Sequence, residues 1–311
     1  MIPNLNTYTE LRIATYDVFD KKVLPYVKSL ASGSYTFKEL TLLFQMKVLS
    51  SRSLVRASDL SLVARMSPSS LSNHLKRFLQ KKLIEKNQST EDRRIYYLSL
   101  TPKGESVLAI LDDFYREINQ TITKSFSPLE MIRIVKSSVA IANAFSKESP
   151  LKFKAFKVTE YQSTLQRAIT RFYSELIYLE ETLLKSHHID LTLKEWYVIV
   201  EVYMASQNGP VTLSQLQETI KLSMSTTSTL VTRLSRTFLR KTHPQSDKRI
   251  THIHVQKKWH AAIDAFIALR LASYERIAST IGEKDLTLFL RLFSHVGQMI
   301  EAHTNTDTSN Q

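Results

Sequence analysis

The chain has 311 residues, no cysteine, and 42 Lys plus Arg against 29 Asp plus Glu, for a net charge of +13. Lack of cysteine excludes disulfides, thiolate metal sites and sulfur-based redox sensing, while the positive balance favours a polyanionic partner such as nucleic acid or an anionic membrane surface. No run nears the roughly 18 apolar residues of a membrane span, and the N-terminus, with Pro3, Asn4, Asn6 and Glu10, does not read as a secretory signal, so a cytoplasmic location is expected.

With only 5 Gly and 8 Pro the chain reads as mostly helical. In the first half, Ser67 is a good N-cap and Pro68 suits the first helical position, so a helix starts there. Leu71, Leu75 and Phe78 fall at steps of four and three and face inward. That leaves Ser69, Ser70, Ser72, Asn73, Lys76 and Arg77 outward, with short hydroxyls and an amide first and cations further along. Such a face suits insertion into a major groove with phosphates on its flanks.

Residues 83–100 then read as a two-stranded wing, in which Tyr96, Leu98 and Leu100 alternate at strand spacing. At its tip stand Asp92, Arg93 and Arg94. A carboxylate two residues from a guanidinium can hold it in one pose, ready for a narrow minor groove where negative potential is deepest. Leu108, Leu111, Phe114, Ile118 and Ile122 continue as the apolar stripe of a long helix. Ser146 to Pro150 break the helical pattern and Lys152, Lys154 and Lys157 follow, which marks a link between two halves.

The second half restates the first. Thr36, Phe37, Lys38, Glu39 recurs as Thr192, Leu193, Lys194, Glu195; Met66, Ser67 as Leu222, Ser223; Asp92, Arg93, Arg94, Ile95 as Asp247, Lys248, Arg249, Ile250. The offsets are 192 − 36 = 156, 223 − 67 = 156 and 247 − 92 = 155, one register broken by a single deletion. This is the signature of a duplicated domain. Leu165, Ile169, Phe172, Leu176, Leu179 and Leu183 form one apolar helical stripe, and Ile263, Ile267, Leu271, Tyr274, Ala278 and Ile281 form another.

In the second Ser-led helix Leu230, Val231 and Leu234 face inward, and Ser225, Thr226, Ser228, Thr229, Thr232 and Arg233 outward. Thr251, Ile253 and Val255 alternate in its wing, with His252 and His254 opposite. Residues 1–155 hold 24 basic and 14 acidic side chains (+10), residues 156–311 hold 18 and 15 (+3), so the first copy should grip phosphates harder. The expected boundaries are a first domain over 1–146, a linker over 147–157, a second domain over 158–303 and a disordered polar tail over 304–311.

The Ser67 helix, the Asp92 to Arg94 wing and the close Leu98, Ser99, Leu100, Thr101, Pro102, Lys103, Gly104 resemble the MarR family of winged helix-turn-helix regulators. The second copy departs at that close, with Gln256, Lys257, Lys258 and Trp259, but keeps the Asp-x-Arg wing. The whole chain resembles the double-length members of the related Sar group. The resemblance implies a mainly α fold with small β wings, two tandem winged helix-turn-helix domains paired within one chain, and a bacterial transcription regulator. It implies that Arg94 and Arg249 enter minor grooves, Asp92 and Asp247 orient them, Lys248 and Arg93 flank them, and terminal helices of both copies form a dimer-like interface. It also implies room for a small-molecule effector of unknown identity near Trp196, Tyr197 and Tyr203, although core packing is the preferred reading of those rings.

Two other readings fit two winged helices in one chain: a plasmid-type replication initiator, and a winged-helix module that binds protein. Near-equal repeats with an Asp-x-Arg wing in each argue against the first, while the weak +3 of the second half leaves room for the second in copy two only. No Gly-rich phosphate loop, Gly-x-Ser-x-Gly elbow or metal-ligand cluster is present, so neither an enzyme nor a cofactor is expected. His252 with His254, and His187 with His188, read as surface residues, and Glu180 with Glu181 as a solvated helix face.

Overall fold

The computed structural model describes residues 18–51, 53–146, 158–220, 223–243 and 250–308. After a π-helical turn at Phe19–Val23, the first half runs α1 (Leu24–Leu30), α2 (Phe37–Ser50), α3 (Ala57–Val63), α4 (Pro68–Gln80), β1 (Ile84–Gln88), β2 (Tyr96–Leu100), α5 (Pro102–Ser125) and α6 (Pro128–Phe145). The second runs α7 (Val158–Ser186), α8 (Leu193–Ser206), β3 (Val211–Thr212), α9 (Leu213–Ile220), α10 (Met224–Leu234), β4 (Leu239–Thr242) and β5 (His252–Val255). A 3-10 turn at Lys257–Trp259 leads into α11 (His260–Ile281) and α12 (Glu283–Thr308). The linker expected over 147–157 lies outside the described residues. The expected disordered tail meets a helix whose backbone continues past 303 to Thr308, as propagation from an established helix adds one hydrogen bond per residue fixed.

Packing divides the described residues into two compact units, one of 179–274 and one of 18–178 together with 275–308. Compact units and sequence repeats therefore do not coincide. In the larger unit, Leu40, Leu43, Met46, Leu60, Leu71, Phe78, Leu83, Leu98, Leu108 and Leu111 build one core. Leu165 of α7 and Leu288, Leu292, Val296 and Ile300 of α12 belong to it too. Each such fully buried side chain stabilises by about 1.5–3 kcal/mol, so the second repeat's terminal helices are a substantial part of what holds the first repeat's core. Polar contacts follow the same seam: Arg133 Nε donates to Asp285 at 2.7 Å, Ser137 donates to the same carboxylate, and Arg291 donates to Glu130 at 2.7 Å.

The smaller unit has its own core of Trp196, Ile199, Val202, Leu216, Val231, Leu234, Leu239, Ile253, Ile263, Phe266 and Ile267. Its strands form a three-stranded antiparallel sheet in the order β3-β5-β4, with Leu239 opposite Val255 and Val211 opposite Ile253. The larger unit reduces that third strand to a single bridge between Val55 and Leu98 beside the β1–β2 hairpin. This strand is too short to leave a period-2 pattern in the sequence. One expectation fails in the smaller unit. Glu180 is fully buried, not solvated, because its carboxylate accepts from Tyr197 Oη at 2.6 Å and pairs with Arg270, itself 5% exposed.

Several helix ends close on a residue other than glycine in the left-handed region. Arg65, Lys82 and His188 take left-handed φ of 51°, 56° and 55°. At each, the following amide bonds back five residues: Met66 to the Ser61 carbonyl, Leu83 to Phe78 and Ile189 to Leu184. This is the Schellman closure with a larger side chain where Gly is usual; at Arg65 and Lys82 the positive charge at the helix C-terminus offsets part of the left-handed penalty.

Candidate nucleic-acid interface

Thr36 and Thr192 begin α2 and α8 with reciprocal capping boxes: each threonine hydroxyl accepts from the amide three residues on, while Glu39 and Glu195 accept from the threonine amides at 2.8 Å. Such caps are worth about 0.5–2 kcal/mol and fix where each helix starts. A helix-turn-helix follows in the larger unit, α3 and α4 joined through the tight turn at Arg65.

Ser67 caps α4, its hydroxyl accepting from the Ser70 amide at 3.2 Å, and Ser223 caps α10 by accepting from Thr226 at the same distance. Leu71 and Phe78 are buried below α4, and Val231 and Leu234 below α10. Ser69, Ser72, Asn73, Lys76 and Arg77 are exposed on α4 and Ser70 is half-buried. Ser225, Thr226, Thr229, Thr232 and Arg233 are exposed on α10 and Ser228 is half-buried. Each unit thus presents a polar face built of the side chains the spacing assigns to it.

Some of these groups already have partners. The hydroxyls of Ser69 and Ser225 lie 3.1 Å from those of Ser67 and Ser223, and Lys241 on β4 donates to Thr232 at 2.9 Å. More consequential, Arg77 Nη1 lies 2.7 Å from Glu39, whose side chain is 1% exposed, and Arg233 pairs with Glu195. The carboxylate that caps α2 or α8 therefore also holds the arginine of α4 or α10. In the smaller unit burial alone would raise the Glu195 carboxyl, but the Thr192 hydroxyl and amide and the Arg233 guanidinium outweigh it and hold it below the usual range. Sequence reasoning gave Arg77 and Arg233 to a ligand; the recurrence of Glu and Arg at one common offset was the signal for their pairing. His74, not singled out from sequence, is pushed down by burial and by nearby Lys38 and Arg77, so it is neutral at physiological pH.

The first wing is a paired hairpin, with Ile84 opposite Leu100 and Gln88 opposite Tyr96. Its tip is self-supported: Ser89 donates to Ile95 O, and the Ser89 hydroxyl accepts from the Glu91 and Asp92 amides. Asp92 Oδ1 accepts from both the backbone amide and Nε of Arg94, at 2.9 and 3.3 Å. The Arg94 side chain is nonetheless 92% exposed, so one edge of the guanidinium is held and the rest faces outward. Arg93 is exposed beside it. In the second wing, Asp247, Lys248 and Arg249 lie outside the described residues. His254 bonds Thr242 at 3.0 Å in its strands.

Gly104 locks the base of the first wing. Thr101 donates its hydroxyl to Lys82 O at 2.7 Å and accepts from the Gly104 amide at 3.0 Å, which seats the start of α5 against the Leu83 carbonyl. A Cβ at position 104 would lie 2.1 Å from that oxygen, so only Gly fits. The second copy, without this glycine, turns through Lys257–Trp259 and anchors Trp259 Nε1 on Thr237 O at 2.9 Å.

The aromatic residues weighed for an effector are engaged in the smaller unit. Trp196 is fully buried between Phe238 and Phe266, Tyr197 donates to Glu180, and Tyr203 donates to Asp264 at 2.9 Å. Burial and the Asp264 carboxylate push the Tyr203 hydroxyl up to about 12. Among the described residues no cluster of three or more His, Asp or Glu could hold a metal ion, and no helix is long and apolar enough to cross a membrane.

A hairpin following a helix-turn-helix, with a polar outward face on its second helix and an arginine at the hairpin tip, defines a winged helix-turn-helix. The model of the MarR family matches residues 40–96, which span α2 through the start of β2, so this segment is a MarR-family region. Among solved structures, the chain is similar to Streptococcus pneumoniae FabT in complex with DNA, with 22% identity, 46% of this chain and 98% of that one covered and a TM-score of 0.40. It is similar also to Staphylococcus aureus MepR, a transcription regulator of the multidrug efflux pump MepA, with 19% identity over 48% of this chain and 98% of that one and a TM-score of 0.32. A MarR variant from E. coli complexed with operator DNA gives 14% identity over 40% and 84% and a TM-score of 0.31. No curated protein matches the chain.

Proposed function

We propose that the protein is a double-stranded-DNA-binding transcriptional regulator, not an enzyme, working in the cytoplasm. In this reading residues 1–146 and 158–303, joined by 147–157, are tandem MarR-like winged-helix domains forming an intrachain pseudo-dimer. α4 and α10 read major grooves through Ser69, Ser70, Ser72, Asn73 and Lys76, and through Ser225, Thr226, Ser228, Thr229 and Thr232. Arg94 with Arg93, and Arg249 with Lys248, enter the flanking minor grooves, oriented by Asp92 and Asp247.

The observation that carries the reading is Arg94: its side chain is 92% exposed yet tethered at one edge, at the tip of a hairpin that a helix-turn-helix precedes. An arginine left free would sample many rotamers, and one folded down would be unavailable; this one is pre-oriented outward. The net charge of +13 supplies the phosphate attraction that a groove reader requires. Because the two polar faces differ in sequence, the operator is an imperfect palindrome with unequal half-sites, about one helical turn or roughly 34 Å apart.

Footprinting of the purified chain on duplex fragments, with stoichiometry, tests this reading. One chain should protect two half-sites; two chains per footprint would refute the internal pairing, and no protection at low salt would refute the function.

A further inference from the structure

The first reading head is held by a residue of the other sequence repeat. Arg65 occupies the turn between α3 and α4 with φ +51°, a conformation side chains seldom adopt, and the bonds Met66 N to Ser61 O and Arg65 N to Leu62 O close the turn. Its Nε donates to Glu175 Oε1 of α7 at 2.8 Å, with side chains 15% and 7% exposed. One residue earlier on α7, Ser174 accepts from Gln45 of α2 at 3.2 Å, and one turn later the Tyr178 ring lies 6.0 Å from the Arg65 guanidinium. Ser174, Glu175 and Tyr178 thus form one strip of α7 directed at the turn that sets the angle of α4.

We propose that Glu175 is a positioning residue: it braces the first reading helix in the orientation that binds DNA, and the brace is one-sided. This inference rests on the DNA-binding reading. The one-sidedness comes from the repeat register, which puts Val18, Phe19 and Lys22 at the positions equivalent to Ser174, Glu175 and Tyr178, with no carboxylate among them. Phe19 packs on Phe37 and Tyr173, and Lys22 pairs with Glu301. At those three register positions the first repeat therefore carries no acid to match Glu175. Because the Arg65–Glu175 pair is largely removed from water, removing either charge leaves the other uncompensated, and the turn loses its fixed pose.

The test uses the full chain with Glu175→Gln, Arg65→Gln and the swap Arg65→Glu/Glu175→Arg, measured by fluorescence anisotropy and hydroxyl-radical footprinting on the footprinted duplex. Each single change should weaken binding about tenfold or more, the scale of losing one hydrogen bond to a charged group. Protection should fade first at one half-site only, the slope of log affinity against log salt should stay unchanged, and the swap should recover most of the loss. Unaltered affinity in Glu175→Gln, equal fading at both half-sites, a reduced salt slope in Arg65→Gln or no recovery in the swap would overturn the brace alone. Absence of duplex binding by the unmodified chain would overturn the DNA reading, and the brace with it.

Discussion

Replacing Gly104 with Ala separates the two copies of the fold. The new Cβ would meet the Leu83 carbonyl oxygen at 2.1 Å and its carbon at 3.0 Å, whereas a comfortable C···O approach is about 3.3 Å or more. α5 must therefore back off by roughly 1.2 Å, or Leu83 must move. Overpacking of that kind costs about 1–3 kcal/mol, and the Thr101 N to Leu83 O bond at 3.0 Å, worth about 1 kcal/mol, is lost with it. Ala gains back about 1 kcal/mol as the better helix former, which leaves a net loss of about 1–3 kcal/mol. Leu83 leads straight into β1, so the first wing and Arg94 shift as well. Both tryptophans, Trp196 and Trp259, lie in the Leu179–Tyr274 unit, while far-UV dichroism reports the whole chain. Urea unfolding should show an earlier dichroism transition in Gly104→Ala with the tryptophan fluorescence transition in place. A fluorescence midpoint that shifts equally, or an unchanged dichroism midpoint, would refute the steric argument.

Three further outcomes follow from the same geometry. Lys82→Gly relieves a left-handed residue at an exposed site and should raise stability by about 0.5–1 kcal/mol in urea unfolding; a loss would mean its side chain matters more than its backbone. Arg77→Ala strands the 1%-exposed Glu39 carboxylate and should destabilise by about 1–3 kcal/mol, more than Arg233→Ala, which strands the more solvated Glu195; equal costs would contradict this ranking. Glu130 is held down to about 2 from 4.5, chiefly by the Ser127 amide and then by Arg291 and the Ser127 hydroxyl. A depressed folded-state pKa gives a contribution complete above pH 4.5 and lost as pH falls toward 2, so Glu130→Gln should flatten melting temperature against pH across that window. Parallel curves for variant and parent would remove Glu130 from the account.

The periodic features were legible from residues alone. Ser67 and Ser223 as caps, the buried Leu71, Phe78, Val231 and Leu234, and the strands around Leu98 and Ile253 follow local rules in which each residue's neighbours lie within one or two turns. The sequence reading lost what depends on distant partners. Arg77 and Arg233 look free on their own helices and become ion pairs only once α2 and α8 pack alongside. Glu180 looks solvated until Arg270, far along the chain, arrives to neutralise it. The sharing of the first core with Leu165 and Leu288 to Ile300 is likewise invisible to a repeat-by-repeat reading, because an apolar stripe states that a face is buried and not against what.

The salt dependence of duplex binding, measured for the unmodified chain and Arg94→Ala, bears most directly on the claim that an outward-held wing arginine and a polar helix grip DNA. Affinity should fall steeply as salt rises, and Arg94→Ala should bind more weakly with the slope reduced by about one. Its loss should exceed that of Arg249→Ala, in keeping with the +10 and +3 charges of the two halves, 24 − 14 and 18 − 15. No duplex affinity in dilute buffer, or an Arg94→Ala variant with the parent's affinity and slope, would contradict the claim.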